Sequence, residues 1–167
     1  MKTSKVVYLS VIIGFAPLAT ADDLYLDING FSKHSSEYYS YQGEKNKYNS
    51  VNPGLGITMN IAKYADVFAG FYDNSYYQTS VYAGVNLKVP FTISEIGIAP
   101  GVAVGGISGY EDTPLETQKI SALVLPNLVF SYRNAGIRIS YVPKVKTSED
   151  RNAVSVWLLQ LQYRIKP

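Results

Sequence analysis

Between Leu24 and Ile165 apolar and polar residues alternate with a period of two in eight separate stretches, joined by connections that are alternately short and long. A period of two gives a β-strand one apolar and one polar face. Eight such strands, with three short turns strictly interleaved with four long loops, predict an all-β fold: an eight-stranded antiparallel transmembrane β-barrel with short periplasmic turns, long extracellular loops and both termini in the periplasm.

The first strand is expected from about Leu24 to Lys33, with Leu24, Leu26 and Ile28 opposite Tyr25, Asp27 and Asn29. A polar, Tyr-rich loop follows from Ser35 to Asn52. In the second strand Leu55, Ile57, Met59 and Ile61 alternate with Gly54, Gly56, Thr58 and Asn60, and a turn at Lys63 to Ala65 leads to a third strand, Asp66 to Tyr72. Beyond a loop near Asp73 to Thr79, Val81, Ala83, Val85, Leu87 and Val89 alternate with Tyr82, Gly84, Asn86 and Lys88. A turn is expected at Pro90 to Thr92, a fifth strand at about Ile93 to Gly105, a loop at Gly106 to Lys119 interrupted by Pro114, and a sixth strand at Ile120 to Tyr132. After a tight return at Arg133 to Ala135 come a seventh strand, Gly136 to Pro143, a loop over Lys144 to Asn152, and an eighth strand from Ala153 to about Ile165.

A secreted, water-soluble barrel such as a lipocalin alternates too, but it turns its apolar face inward. In the eighth strand Trp157, Leu159, Leu161, Tyr163 and Ile165 share a face without charge, opposite Gln160, Gln162 and Arg164. Lipid outside is the expected arrangement. The chain ends Arg164-Ile165-Lys166-Pro167, where many outer-membrane strands end on an aromatic residue, so Tyr163 is the residue expected to fill that role.

Residues 1–21 read as a cleavable leader: Lys2 and Lys5, an apolar run from Val6 to Leu18, then the small residues of Ala19-Thr20-Ala21. The mature barrel is expected over 22–167, in the outer membrane of a Gram-negative bacterium. Val6 to Leu18 is too short for a spanning helix, and no later stretch reaches roughly 20 apolar residues. Fifteen tyrosines suit the two aromatic girdles of a membrane barrel. With no cysteine there is neither a disulfide nor a thiolate metal site, and no metal or cofactor is expected. Without the leader lysines, 13 basic residues face 13 acidic ones, which gives no reason to expect a nucleic-acid partner. A barrel of eight strands is filled by side chains or holds one small ligand, so a diffusion pore is not expected.

His34, the only histidine, stands where the first strand meets the first long loop, and Ser75 lies at the mouth of the hairpin between the third and fourth strands. The long loops share one end of the barrel, so the two should occupy one rim. A serine hydroxyl becomes a nucleophile or proton relay when a base is in reach, and Asp73 could hold the imidazole in one tautomer. The plainer reading is a solvent-exposed histidine, with Ser, Asn and Asp supplying turn chemistry. Pro53, Pro126 and Pro143 form a second set. Proline cannot donate to a ladder; Pro53 and Pro143 fit strand ends, whereas Pro126 interrupts an apolar run and marks a gap through which an acyl chain could pass sideways.

These pieces in this order resemble the PagP-type lipid A palmitoyltransferases, eight-stranded outer-membrane barrels that move a palmitoyl chain from a phospholipid to lipid A. The resemblance rests on Asp23-Leu24-Tyr25-Leu26 with His34 downstream, Lys47-Tyr48-Asn49 before Pro53-Gly54-Leu55-Gly56, and Phe71 leading to Asn74-Ser75-Tyr76. Ala83-Gly84, Leu125-Pro126 and Tyr141-Val142-Pro143 continue it. It implies His34 and Ser75 as catalytic residues, with Asp73 or, one residue on, Asn74 at the position of the family's acid. It implies wall gaps at Pro53, Pro126 and Pro143, with Asp27 where a fourth proline is expected, and an acyl-pocket floor at Gly84 and Asn86 on the fourth strand. The family's amphipathic helix before the first strand has no counterpart, because only Asp22 and Asp23 precede Leu24 in the expected mature chain.

Two functions are therefore expected in different classes. One is an acyltransferase-like barrel, expected as a monomer, acting on outer-membrane phospholipid and lipid A. The other is a non-enzymatic barrel for adhesion or resistance to host defences, whose loop tyrosines Tyr38, Tyr39, Tyr41 and Tyr48 contact a surface partner or seal the rim.

Overall fold

In the computed structural model the period-two stretches become strands: β1 (Leu24–His34), β4 (Val51–Ala62), β5 (Ala65–Asp73), β6 (Thr79–Lys88), β8 (Ile96–Ile107), β9 (Ser121–Tyr132), β10 (Ala135–Val145) and β11 (Val154–Lys166). Three shorter strands, β2 (Tyr38–Tyr41), β3 (Glu44–Lys47) and β7 (Phe91–Ile93), decorate the connections. The structure describes residues 23–111, 113, 119–145 and 154–166. The expected leader, the central part of the third long loop with Pro114, and most of the fourth long loop lie outside the described residues.

The eight long strands pair in the order β6-β5-β4-β1-β11-β10-β9-β8, and β6 pairs with β8 to close the sheet. The first and last strands zip together from Leu24 opposite Lys166 to His34 opposite Val156. This is the antiparallel eight-stranded barrel that the alternation predicts.

The side chains show which solvent lies outside. Leu55, Ile57, Phe71, Val81, Leu87, Val104, Val124 and Leu161 are exposed on the outer wall, while Asp27, Thr58, Asp66, Asn86, Asn127 and Gln162 are buried in the lumen. In water this polarity would be inside out, since soluble monomers rarely show contiguous apolar patches beyond a few hundred Å². In a bilayer it is the required one: the closed ladder satisfies the backbone and the apolar face meets hydrocarbon. The barrel is membrane-embedded.

At the short-turn end the lumen is filled by polar groups that bond one another. Asp27 accepts from Thr58 Oγ1 at 2.6 Å and from Gln162 Nε2 at 2.7 Å. Lys88 Nζ pairs with Asp66 at 2.6 Å, Asn86 donates to Asp66 at 3.2 Å, and Asn127 donates to Asn86 at 2.8 Å. Buried charges persist only when paired or hydrogen-bonded, and here both Asp27 and Asp66 are.

Two connections differ from the sequence expectation. The first long loop carries the β2–β3 hairpin, turned at Gln42 and Gly43, both with positive φ; its tyrosines and lysines carry no apolar alternation to announce strands. The turn expected at Pro90 to Thr92 is instead strand β7, which pairs with the start of β8. The chain reverses at Ser94 and Glu95, where Ser94 adopts φ 56°. Pro90 had suggested the turn, but it only separates β6 from β7.

Candidate functional site

Tyr82 sets the floor of the upper lumen. From β6 its ring lies across the neighbouring strands, over Gly70 on β5 and Gly56 on β4; a Cβ at either glycine would fall within 2.6 Å of the Tyr82 hydroxyl. Those glycines let the phenol reach β1, where Asn29 Nδ2 donates to its oxygen at 3.1 Å, and β11, where Gln160 Nε2 donates at 3.3 Å. Gln160 also donates to Asn29 Oδ1 at 2.9 Å and accepts from Arg138 Nη1 of β10 at 3.2 Å. Four side chains from four strands thus cross the lumen as one beam.

Above the beam lies a cavity of about 500 Å³. Its walls are mostly apolar: Phe68, Ala103, Ile107, Leu123, Leu125 and Leu158, with Tyr72. Aromatic residues roof it. The His34 and Tyr48 rings stack with centroids 4.1 Å apart, Tyr39 lies 4.9 Å from both Tyr48 and Tyr76, and Tyr76 meets Tyr110 edge-on at 6.0 Å. Tyr72 and Tyr110 share a hydroxyl hydrogen bond of 2.9 Å. Burial raises the loop phenols Tyr39, Tyr76 and Tyr110 above the ordinary tyrosine value, so the roof is uncharged at neutral pH.

One seam of the wall is open. The β9–β10 ladder runs from Tyr132 opposite Ala135 only as far as Asn127 opposite Ser140. Beyond that point residues 121–126 pair with β8 and residues 141 and 142 with β11, and no register pair joins β9 to β10 among the described residues. Pro126 and Pro143 stand on the two lips. Each lacks an N–H, so a ladder continued here would be short of donors. Residues 121–125 of β9 and Ser140, Val142 and Pro143 of β10 all line the cavity. Both strands thus contribute cavity-lining residues where their mutual ladder has stopped.

Pro53 lies beside a different junction. The β4–β5 ladder ends at Gly54 opposite Tyr72. Asn52 Nδ2 then donates to the Asp73 carbonyl at 2.8 Å and Asn49 Nδ2 to the Asn74 carbonyl at 3.2 Å, so side chains lace the wall where the ladder stops.

The other sequence candidates fall as follows. His34 and Ser75 line the one cavity, His34 buried with its Nδ1 without a hydrogen-bond partner. Among the described residues no hydrogen bond joins His34 to Ser75 or to Asp73. Asp73 is exposed, accepts from Thr79 Oγ1 at 3.3 Å and does not line the cavity. Asn74 is fully buried and holds the loop: its Oδ1 accepts from the Tyr76 and Gln78 amides at 2.8 and 3.1 Å, and its Nδ2 donates to Gly109 O and Ser80 Oγ at 2.6 and 3.1 Å. Asn86 bonds to Asp66 and Asn127 in the polar network, Gly84 packs against Phe68 of the cavity wall, and neither Gly84 nor Asn86 itself lines the cavity. Tyr82, Asn29, Gln160 and Arg138 were not singled out by sequence reasoning; their alternation places them in the lumen, but only the register shows that they meet.

No family model and no curated protein sequence matches the chain. Among solved structures it is similar to a de novo designed transmembrane β-barrel, with 11% identity, a TM-score of 0.57, and 87% of this chain and 97% of that one covered. It also aligns with Neisserial surface protein A at 12% identity and TM-score 0.45, covering 87% and 98%. Ail, the attachment invasion locus protein of Yersinia pestis, aligns at 15% and 0.43, covering 86% and 99%. The first likeness shows the fold alone. The chain has the fold of a transmembrane β-barrel, the class to which the small outer-membrane barrels belong.

Proposed function

We propose that the protein is an outer-membrane barrel that draws an acyl chain from the bilayer through the β9–β10 seam into its upper cavity and transfers it at the rim, in the manner of a lipid A acyltransferase. The observation that carries this reading is the open seam leading into an apolar cavity beneath His34 and Ser75. Unpaired backbone in hydrocarbon is expensive unless it lines a cavity or serves a purpose. The aromatic roof leaves the side route as the natural one for a chain already dissolved in lipid.

With the chain in the cavity, its ester lies at the rim. His34 would take the proton of an acceptor hydroxyl on lipid A as that oxygen attacks the ester carbonyl. The bond from the carbonyl to the glycerol oxygen breaks, the same proton passes to that oxygen, and a lysophospholipid leaves. Ser75 would orient the ester or carry the acyl group between the two oxygens. Hydrogen bonds between catalytic groups often form only once substrate is bound. Asp73, exposed and turned toward Thr79, is left out of this scheme.

The test is mass spectrometry of lipid A from Gram-negative cells expressing the wild type, His34→Ala, Ser75→Ala and Asp73→Ala at matched outer-membrane levels. The expected result is an added acyl mass, lost in the first two variants and kept in the third. A cysteine pair at Leu125 and Val142, positions that a continued ladder would oppose, should block the addition until reduced. Unmodified lipid A in wild-type cells would overturn the reading.

A further inference from the structure

At the bottom of the cavity sits a cation without a counter-ion. The Arg138 side chain is over nine-tenths buried and lines the cavity. Its guanidinium donates to the neutral Gln160, its Nε has no partner, and no carboxylate lies within ion-pair distance among the described residues. The nearest candidate, Asp27, is one layer lower and has both oxygens engaged by Thr58 and Gln162. Asp66, lower still, is paired with Lys88. Beside Arg138 the Tyr82 oxygen already accepts from two amides, and its own proton reaches Asn29 only at 3.5 Å. Donors therefore converge on the floor of an apolar chamber, and among the described residues no carboxylate lines it to balance the charge. Leaving a buried charge unpaired is strongly destabilising.

We propose that the cavity is also a binding site for a free long-chain fatty acid, held head-down with its carboxylate on Arg138 and Tyr82 and its hydrocarbon tail in the apolar chamber above. A guanidinium binds a carboxylate by charge-assisted, often bidentate hydrogen bonds, and apolar walls with a few placed polar groups are the usual form of a small-ligand site. An ordinary acyl tail lowered into the same chamber would set its methyl end against the guanidinium and leave the charge unpaired. Binding of the acid depends on the cavity and not on transfer chemistry, so it stands or falls apart from the acyltransferase reading; the two occupants exclude one another.

The experiment uses the full barrel in phosphatidylcholine nanodiscs, free of lipid A, with palmitate carrying carbon-13 at its carboxyl carbon, and with hexadecanol as the uncharged analogue. The wild type should show a bound carboxyl resonance absent from empty nanodiscs. That bound carboxyl should ionise at lower pH than the pool dissolved in the bilayer, because an adjacent cation favours the charged form. Palmitate should bind at least about tenfold more tightly than hexadecanol. Arg138→Met should abolish the preference and the shifted titration while still taking up hexadecanol, and Arg138→Lys should keep the low-pH ionisation. Hexadecanol uptake by Arg138→Met shows that its chamber is formed; if that variant fails to assemble, the Arg138→Lys and wild-type titrations decide. No bound resonance in the wild type, equal affinity for the two probes, or a titration matching the bilayer pool would overturn the proposal.

Discussion

Asn74 shows what one side chain at a barrel rim can do. Its amide receives and donates four hydrogen bonds, tying the β5–β6 loop to Ser80 and to the carbonyl of Gly109 beyond β8. It occupies the place next to Ser75 where sequence reasoning left open a catalytic acid, and its work here is to shape the loop that carries Ser75. Asn74→Ala would strand buried donors and acceptors at a cost of about 1–3 kcal/mol. Urea titration of the barrel refolded in liposomes should show that loss, and transfer should fall with it because Ser75 is no longer held. The role of Asn74 was only half legible in the chain: its bonds to the Tyr76 and Gln78 amides are local turn chemistry, but its partners Ser80 and Gly109 lie 6 and 35 residues away.

At the scale of elements, the β2–β3 hairpin packs against the cavity's aromatic roof, and β9 and β10 supply part of its wall. The hairpin places Tyr39 in the aromatic roof beside Tyr48, with Tyr41 packed against them, while Tyr38 stays exposed beneath Lys45. Of the four loop tyrosines considered, Tyr39, Tyr41 and Tyr48 thus pack together and Tyr38 does not. Replacing residues 38–47 by a short Gly-Ser link should leave the barrel assembled, with its usual heat-modifiable migration in gels. It should also speed the labelling of a cysteine at Ile107, a cavity-wall position, by a water-soluble maleimide. Unchanged labelling would mean that the hairpin closes nothing. The seam was partly legible: Pro126 breaks a period-two run, and a residue without an N–H inside a membrane ladder needs a reason. Pro53 offered the same signal, yet Asn49 and Asn52 lace that junction shut, which no local pattern reveals.

For the whole molecule, the outward band is what makes a lipid-embedded barrel, and the eighth period-two stretch disclosed it best. Leu161 lies mid-strand on that face, whereas Ile165 is near the short-turn end. Leu161→Lys should cost roughly 2–4 kcal/mol and Ile165→Lys only about 0–1 kcal/mol, because the penalty for charge falls toward the interface; folding titrations in bilayers of defined thickness would measure both. Period two conveyed the strand count, the polarity of the two faces and the closure. It could not convey how inward residues combine across strands, and so the Tyr82 beam and the Asp66–Asn86–Asn127 network were beyond it.

The slit between β9 and β10 also bears on size. The β1–β11 ladder runs from Leu24 to His34, whereas the β9–β10 ladder stops at Asn127 and Ser140. On the proposed reading, a bulkier occupant would be accommodated by those two lips spreading, with no β9–β10 ladder pair to break beyond Asn127 and Ser140.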